Sequence, residues 1–314
     1  MSEEVRLSVL IKVAKELANK SFPRYFHRRG NHRYTVAQLV CCLLLKIYLR
    51  LSYRRLEVVL KDLLVERKIL GLEEVPDHTT LCRAMEAIGE EKILEMIKEI
   101  SRLAEEKEDM VAHDGTGLKE ERGSEWYYDR KGKRRRKWLM VIYSVGVKSQ
   151  LTLHVVIKRG PGGEGSYLKE LKDGVRGLIG EDVIHIADRG FDGEWVEEGD
   201  IIPPIRRGGS LKGEERKRRE ELYQQARIDG IYGQRWKVEA VISVEKRVLG
   251  EKIYSVKESN KRKEVLLRVL VMNLRRYLQI IFIIYQRAEE GQFFFLCLTS
   301  PRICNKAEQG NFSL

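Results

Sequence analysis

Met110-Val111-Ala112-His113-Asp114-Gly115-Thr116-Gly117 is where the chain changes texture. Met110 to Asp114 is a short apolar run closed by a carboxylate, and the Gly-Thr-Gly that follows reads as a turn. Trp138–Val147 and Leu151–Lys158 are rich in β-branched residues and predict two further strands. Val183 to Asp188 predicts a fourth, ending at Arg189-Gly190. Ile201–Ile205 predicts a fifth, kept short because Pro203 and Pro204 cannot donate to a ladder. Helical spacing returns from Ser166 to Leu178, around Val238 to Leu249 before Gly250, and from about Ser259 to Tyr285. Strands interleaved with helices in this order predict an α/β fold, a mixed sheet flanked by helices.

Upstream, residues 1–108 read as all-helical. Val5, Val9, Val13 and Leu17 share one face ahead of a break at Pro23. A basic-aromatic stretch from Arg24 to Tyr34 leads to one or two apolar-periodic helices over Val36–Leu64, carrying Tyr53, Arg54 and Arg55. Pro76-Asp77-His78-Thr79-Thr80 is a helix start ahead of Leu81, Met85 and Ile88, and Gly89 separates it from a helix over Glu90–Glu106. Short helices with a polar-capped later one suit a helix-turn-helix-like DNA-binding module; a bundle that only supports the second domain satisfies the same pattern. The expected organisation is a helical domain over 1–108, a catalytic domain over 109–285 and an irregular tail over 286–314. Phe293-Phe294-Phe295 in that tail has no clear periodicity.

With 314 residues and 43% apolar content the chain can bury a sizeable core. Its net charge of +12 points to an anionic partner, most often nucleic acid. Five scattered cysteines show neither metal spacing nor a disulfide framework, which suits a reducing cytoplasm. The start Met-Ser-Glu-Glu has no secretory pattern. The apolar runs Ile280–Tyr285 and Phe293–Leu298 are far shorter than the roughly 20 residues of a membrane span. The expected compartment is therefore the cytoplasm, on the nucleoid, with no membrane partner.

Chemistry gathers at three places. Asp114 and Asp188 each close an apolar run, where a sheet holds side chains at the mouth of a cleft. Tyr232, Arg235, Glu239 and Lys246 stand three, four and seven residues apart on one expected helix. At about 100° per residue they fall within roughly 60° of one another, beside the apolar stripe of Val238, Val241, Ile242, Val248 and Leu249. Two strand-end aspartates and a helix glutamate make an oxygen-rich donor set for hard divalent cations. A pair of such ions can activate an attacking oxygen and stabilise a leaving one at a phosphodiester.

Three motifs together, His113-Asp114-Gly115-Thr116-Gly117, Ala187-Asp188-Arg189-Gly190-Phe191-Asp192 and Tyr232-x2-Arg235-x3-Glu239-x6-Lys246, carry a resemblance. Over about residues 30–280 the chain resembles the DDE transposases of prokaryotic insertion sequences, in the branch marked by a Tyr-Arg-Glu-Lys signature. The resemblance implies a ribonuclease-H-like core in which Asp114, Asp188 and Glu239 bind two Mg²⁺ ions, with Mn²⁺ able to substitute. It implies cleavage of double-stranded DNA at terminal inverted repeats, then attack of the freed 3′-hydroxyl on target DNA. Arg235 and Lys246 would contact phosphates of the bound end, with Tyr232 beside them. Synapsis of two ends implies a homodimer on DNA. Branches of the family insert a β-rich segment between the second aspartate and the glutamate; the 50 residues between Asp188 and Glu239 leave no room for one. A catalytically silent DNA-binding relic and a nuclease acting by hydrolysis alone are the alternatives.

Basic runs add a layer. Arg130, Lys131, Lys133, Arg134, Arg135, Arg136 and Lys137 follow Trp126, Tyr127 and Tyr128, a mix suited to phosphate contacts and base stacking. Arg206, Arg207, Arg216, Lys217, Arg218 and Arg219 form a second cluster, although Glu214 and Glu215 also allow a self-paired exposed helix. His113, Cys41 and Cys42 read as structural, Asp192 as a helix cap and Trp195 as core.

Overall fold

The structure, a computed structural model, describes residues 6–29, 32–104, 107–120, 138–160, 162–206 and 213–287. Six helices come first: α1 (Leu7–Ser21), α2 (Val36–Tyr48), α3 (Tyr53–Asp62), α4 (Leu64–Leu70), α5 (His78–Ala87) and α6 (Glu90–Leu103). Their starts are set by local chemistry. Thr35 and Gln38 form a reciprocal capping box on α2, Ser52 accepts from Arg55 N, and Asp77 accepts from the Thr79 and Thr80 amides at 2.8 Å. α2 is buried from Val36 to Ile47 apart from Gln38, which explains its nearly unbroken apolar run. Cys41 and Cys42 lie fully inside it, as expected.

The sheet has strand order β3-β2-β1-β4, with β1 (Met110–Glu120), β2 (Trp138–Gly146) and β3 (Thr152–Arg159) antiparallel and β4 (Ile184–Ile186) parallel to β1. A two-residue strand, β5 (Lys252–Ile253), pairs in parallel with the far end of β1. Helix α7 (Leu168–Ile179) packs with β3, α8 (Glu214–Ile228) follows β4, and α9 (Trp236–Leu249) and α10 (Glu258–Arg287) complete the layers. This mixed sheet flanked by helices, with a helical N-terminal region, is consistent with a ribonuclease-H-like α/β fold.

One apolar cluster runs from Leu10, Val40 and Ile97 through Val141 and Tyr143 to Val238 and Leu270, so the helical layer and one sheet face share a core. α10 ties the two regions with polar contacts. Arg262 pairs with Glu90 and donates to Ile157 O, while Lys263 donates to Met85 O and Glu86 O. The Asn273 amide bonds both Thr152 N and Thr152 O at the start of β3. The other face carries smaller clusters beneath α7, around Ile142, Leu168 and Phe191.

Several expectations are corrected. β1 does not end at Asp114 but runs on through Gly115-Thr116-Gly117 to Glu120. Glycine is needed there for close approach, not for a turn: a Cβ on Gly117 would stand 2.9 Å from the Trp138 ring. The fifth strand over Ile201–Ile205 reduces to a single bridge between Ile201 and Ile186, as the two prolines withhold ladder donors. α4 and β5 were not expected, and the run Val36–Leu64 breaks at Leu49–Ser52 into α2 and α3. Trp195 is not core; it is 36% exposed, with Lys169 Nζ 4.4 Å from its ring centroid. Asp192 does not cap a following helix; its backbone closes the Arg189–Phe191 turn. Its carboxylate accepts from Ile205 N and Arg219 and pairs with Arg216, pinning α8 to the segment after β4.

The position of α9 rests on a buried charge cluster. Glu245 on α9 accepts from Tyr143 on β2 at 3.0 Å and from Arg268 Nε on α10 at 2.9 Å. Arg268 also donates to the carbonyls of Gly250 and Lys252 around the α9–β5 junction. Both charged side chains are 3% exposed. Removing one partner of such a pair costs about 3–5 kcal/mol, because the other charge is left buried and uncompensated. Glu245→Ala should lose that much in urea denaturation, and Glu245→Met combined with Arg268→Met should recover most of it. A loss below about 1 kcal/mol in the single variant contradicts the assignment.

Candidate active site

Sheet register brings the two aspartates together. Met110 is level with Ile184 and Ala112 with Ile186 across the parallel β1–β4 pair. The backbone is still extended at Asp188, so carrying the register on by two residues sets Asp114 and Asp188 at one height, on one face. Asp188 begins the 3₁₀ turn Arg189–Phe191 and accepts from Gly190 N at 2.8 Å. His113, between them in alternation, faces the other way. It is fully buried, bonded to Ser144 Oγ at 2.9 Å and His185 Nδ1 at 2.8 Å, and burial holds it neutral. It is a structural group, as expected.

Along the same edge β4 covers the start of β1 and β5 covers its end, and α9 packs across β1 between them. The signature does not lie on one α-helix. Tyr232–Arg235 forms a 3₁₀ turn, and Glu239 sits in the first turn of α9, which starts at Trp236. The Arg235 guanidinium pairs with Glu239 and stands 3.9 Å from Asp114 Oδ1, so it lies between two of the three acids. The Tyr232 ring meets Tyr223 of α8 edge-on at 4.8 Å. Asp114, Thr116, Glu239, Ser243, Lys246 and Arg247 line an open groove of about 460 Å³. Of the two aspartates and the four signature residues, three therefore face one groove, and Arg235 lies between the carboxylates of Asp114 and Glu239. Asp188 adjoins Asp114 through the sheet, and Tyr232 sits behind, against α8.

The electrostatics are those of crowded acids. Burial raises the Asp114 carboxyl to about 6; Arg235 and the Gly115 amide oppose the rise, and Asp188 and Glu239 add to it. A fourth acid, absent from the sequence reading, is Glu164 in the 3₁₀ turn Glu164–Tyr167. Burial raises its carboxyl too, with Asp188 and then Asp114 reinforcing the effect. The only signal in the sequence is an acidic residue in a glycine-rich loop, which ordinarily reads as a solvated turn.

Among the described residues, no three His, Cys, Asp or Glu side chains stand close enough to hold a metal ion as placed. The donor set itself fits a hard divalent cation. It is all oxygen, Asp188 and Glu239 add to the raised proton affinity of Asp114, and a guanidinium stands in as the local positive charge. The basic run Arg130–Lys137, with Trp126, Tyr127 and Tyr128, lies outside the described residues, as do Arg207 and the tail from 288 on; the first two residues expected in the tail belong to α10. In the second basic cluster the alternative of paired charges is the one found. Arg206 pairs with Glu220, Lys217 with Glu214, and Arg216 and Arg219 with Asp192, so these cations serve α8 itself.

The Asp114 shift has a measurable sign. Its folded value of about 6 lies above the unfolded one of about 3.9. Folding therefore favours the protonated acid, and the stability tied to it is present below about pH 4 and lost as pH rises through about 6. Asp114→Asn should melt above wild type in metal-free buffer above pH 7, with the difference gone at about pH 4. A difference independent of pH contradicts the assignment.

Comparison with known families agrees with the geometry. Residues 105–274 match the family described as Transposase DDE domain, and residues 3–87 match the one described as Transposase domain (DUF772). No curated protein matches the chain. The first match spans both aspartates, Glu164, the signature turn and α9, and covers more than half of the sequence. The chain belongs to the Transposase DDE domain family, in which divalent metals are generally used, and is a DDE transposase of insertion-sequence type.

Proposed function

We propose that the protein cleaves DNA strands at the ends of its own insertion sequence and joins the freed 3′-hydroxyl to target DNA, within the Tyr-Arg-Glu-Lys branch of the family. What supports this reading is the parallel β1–β4 register, which carried on by two residues brings Asp114 level with Asp188, together with the groove that Asp114 and Glu239 line. Divalent cations held by Asp114, Asp188 and Glu239, two Mg²⁺ in the proposed form with Mn²⁺ as substitute, would polarise the phosphodiester and activate the attacking oxygen.

The protein's own groups then have separable tasks. Asp114 must shed its proton to serve as a ligand, so its raised proton affinity makes cation binding weaker as pH falls. Arg235 neutralises Glu239 before substrate arrives, and its planar fork suits a phosphate oxygen pair once that contact is released. Lys246, on the groove wall, is placed for a second phosphate. Tyr232, braced by Tyr223, supports the turn that carries Arg235.

Sequence-independent grip comes from elsewhere. The cations of Arg130–Lys137 suit phosphate contacts by composition. In the helical region α2 and α3 meet at 104° across a four-residue turn, and Arg54 and Arg55 are exposed at the start of α3. That is the angle and turn length of a helix-turn-helix, and it supports a DNA-reading role for residues 1–108. No single helix among the described residues is long and apolar enough to cross a membrane. The proposed assembly on paired ends is a homodimer.

The test is cleavage and strand transfer on DNA carrying the element's terminal repeats. Wild type should give both products with Mg²⁺ or Mn²⁺, and Asp188→Asn and Glu239→Gln should each lower the rate at least a hundredfold while still shifting the DNA on a gel. Nicks without joined products would reassign the protein as a hydrolytic nuclease. Binding with no product at any divalent concentration would mark a silent relic.

A further inference from the structure

The Glu164 carboxylate stands beside the glycines that follow the two aspartates, Gly115 and Gly190. Its 3₁₀ turn packs directly on the Arg189–Phe191 turn: a Cβ on Gly165 would stand 3.2 Å from the Phe191 carbonyl group. The carboxylate then reaches across two more glycines. A Cβ on Gly115, the residue after Asp114, would collide with Glu164 Oε1. A Cβ on Gly190 would lie 2.9 Å from Asp188 Oδ1 and 3.4 Å from Glu164 Oε2. The space beside each aspartate that a side chain would fill is thus given to Glu164. Among the described residues no hydrogen bond or ion pair satisfies this half-buried carboxylate, although nearby acids elsewhere in the fold have cationic partners, as Glu197 and Asp200 have in Lys172. A half-buried anion beside two others is unfavourable unless a cation joins them.

Building on the metal-dependent reading of the site, we infer that Glu164 is a fourth carboxylate of the cation site, bound to the metal directly or through one of its waters. Magnesium keeps several of its waters, so a further carboxylate beside the aspartates can act on it through one of them. Glu164 approaches from the α7 side of the sheet, opposite to Glu239 on α9. The pair of aspartates would then be flanked by one glutamate on each side. Glu164 adds charge that helps draw the cation to Asp114 and Asp188 before DNA is present.

Metal binding separates the possibilities without recourse to activity. The metal-free full chain is titrated with Mn²⁺, followed by the paramagnetic relaxation of water protons, for wild type, Glu164→Gln, Asp188→Asn and Glu170→Gln. Glu170 is a control, an exposed acid of the same helix region paired with Lys158. Glu164→Gln should weaken Mn²⁺ binding about tenfold or more, and Glu170→Gln should stay within twofold of wild type. Without metal, Glu164→Gln should melt no lower than wild type, since the charge removed has no partner; a lower melting point marks a structural role instead. If Asp188→Asn weakens binding while Glu164→Gln matches wild type, Glu164 is not part of the site and the triad stands without it. If Asp188→Asn also matches wild type, the cation is bound elsewhere, and both readings fall.

Discussion

The buried contact of Glu245 with Arg268 and Tyr143 is the constraint on which the rest depends. It is the point where α9, β2 and α10 are joined by charge and not only by apolar contact, and Arg268 extends the joint to the carbonyls at the end of α9. A helix held by apolar packing alone can slide or rotate at modest cost. A fully paired buried ion cluster admits one arrangement, since any displacement leaves a charge without a partner. Glu239 lies six residues before Glu245 on the same helix, so fixing one fixes the height of the other above β1.

The site itself has the opposite character. Asp114, Asp188, Glu164 and Glu239 are gathered without enough positive charge to satisfy them. The consequence is visible in the raised proton affinity of Asp114 and in the guanidinium of Arg235 lying against Glu239 and near Asp114. A rigid frame around mutually repelling acids holds them together at a cost that a cation bound as proposed would offset. The division suits a protein whose scaffold must hold while its ligands wait for metal and DNA.

Much of this was legible in the chain. The apolar runs ending at Asp114 and Asp188 marked β1 and β4, because strands buried on both faces read as short apolar runs and not as alternation. The spacing from Tyr232 to Lys246 pointed to one face, though not to the 3₁₀ turn that carries its first two members. What stayed hidden depended on long-range contact. Gly115 and Gly117 carry the ordinary mark of a turn, yet they are strand residues kept small for Glu164 and the Trp138 ring. Glu245 and Arg268 look like solvated helix charges until the fold puts them together. Asp192, Arg216 and Arg219 looked like a cap and a DNA-binding run, and their pairing is a tertiary fact that no local pattern encodes.

The central claim is that these acids form one cation site at the groove, and diffraction from the full chain with terminal-repeat DNA and Mn²⁺ tests it most directly. The account predicts anomalous density in coordinating contact with both Asp114 and Asp188, with Arg235 withdrawn from Glu239 towards a DNA phosphate. Saturating Mn²⁺ with no density in the groove, and Arg235 still paired with Glu239, would contradict it.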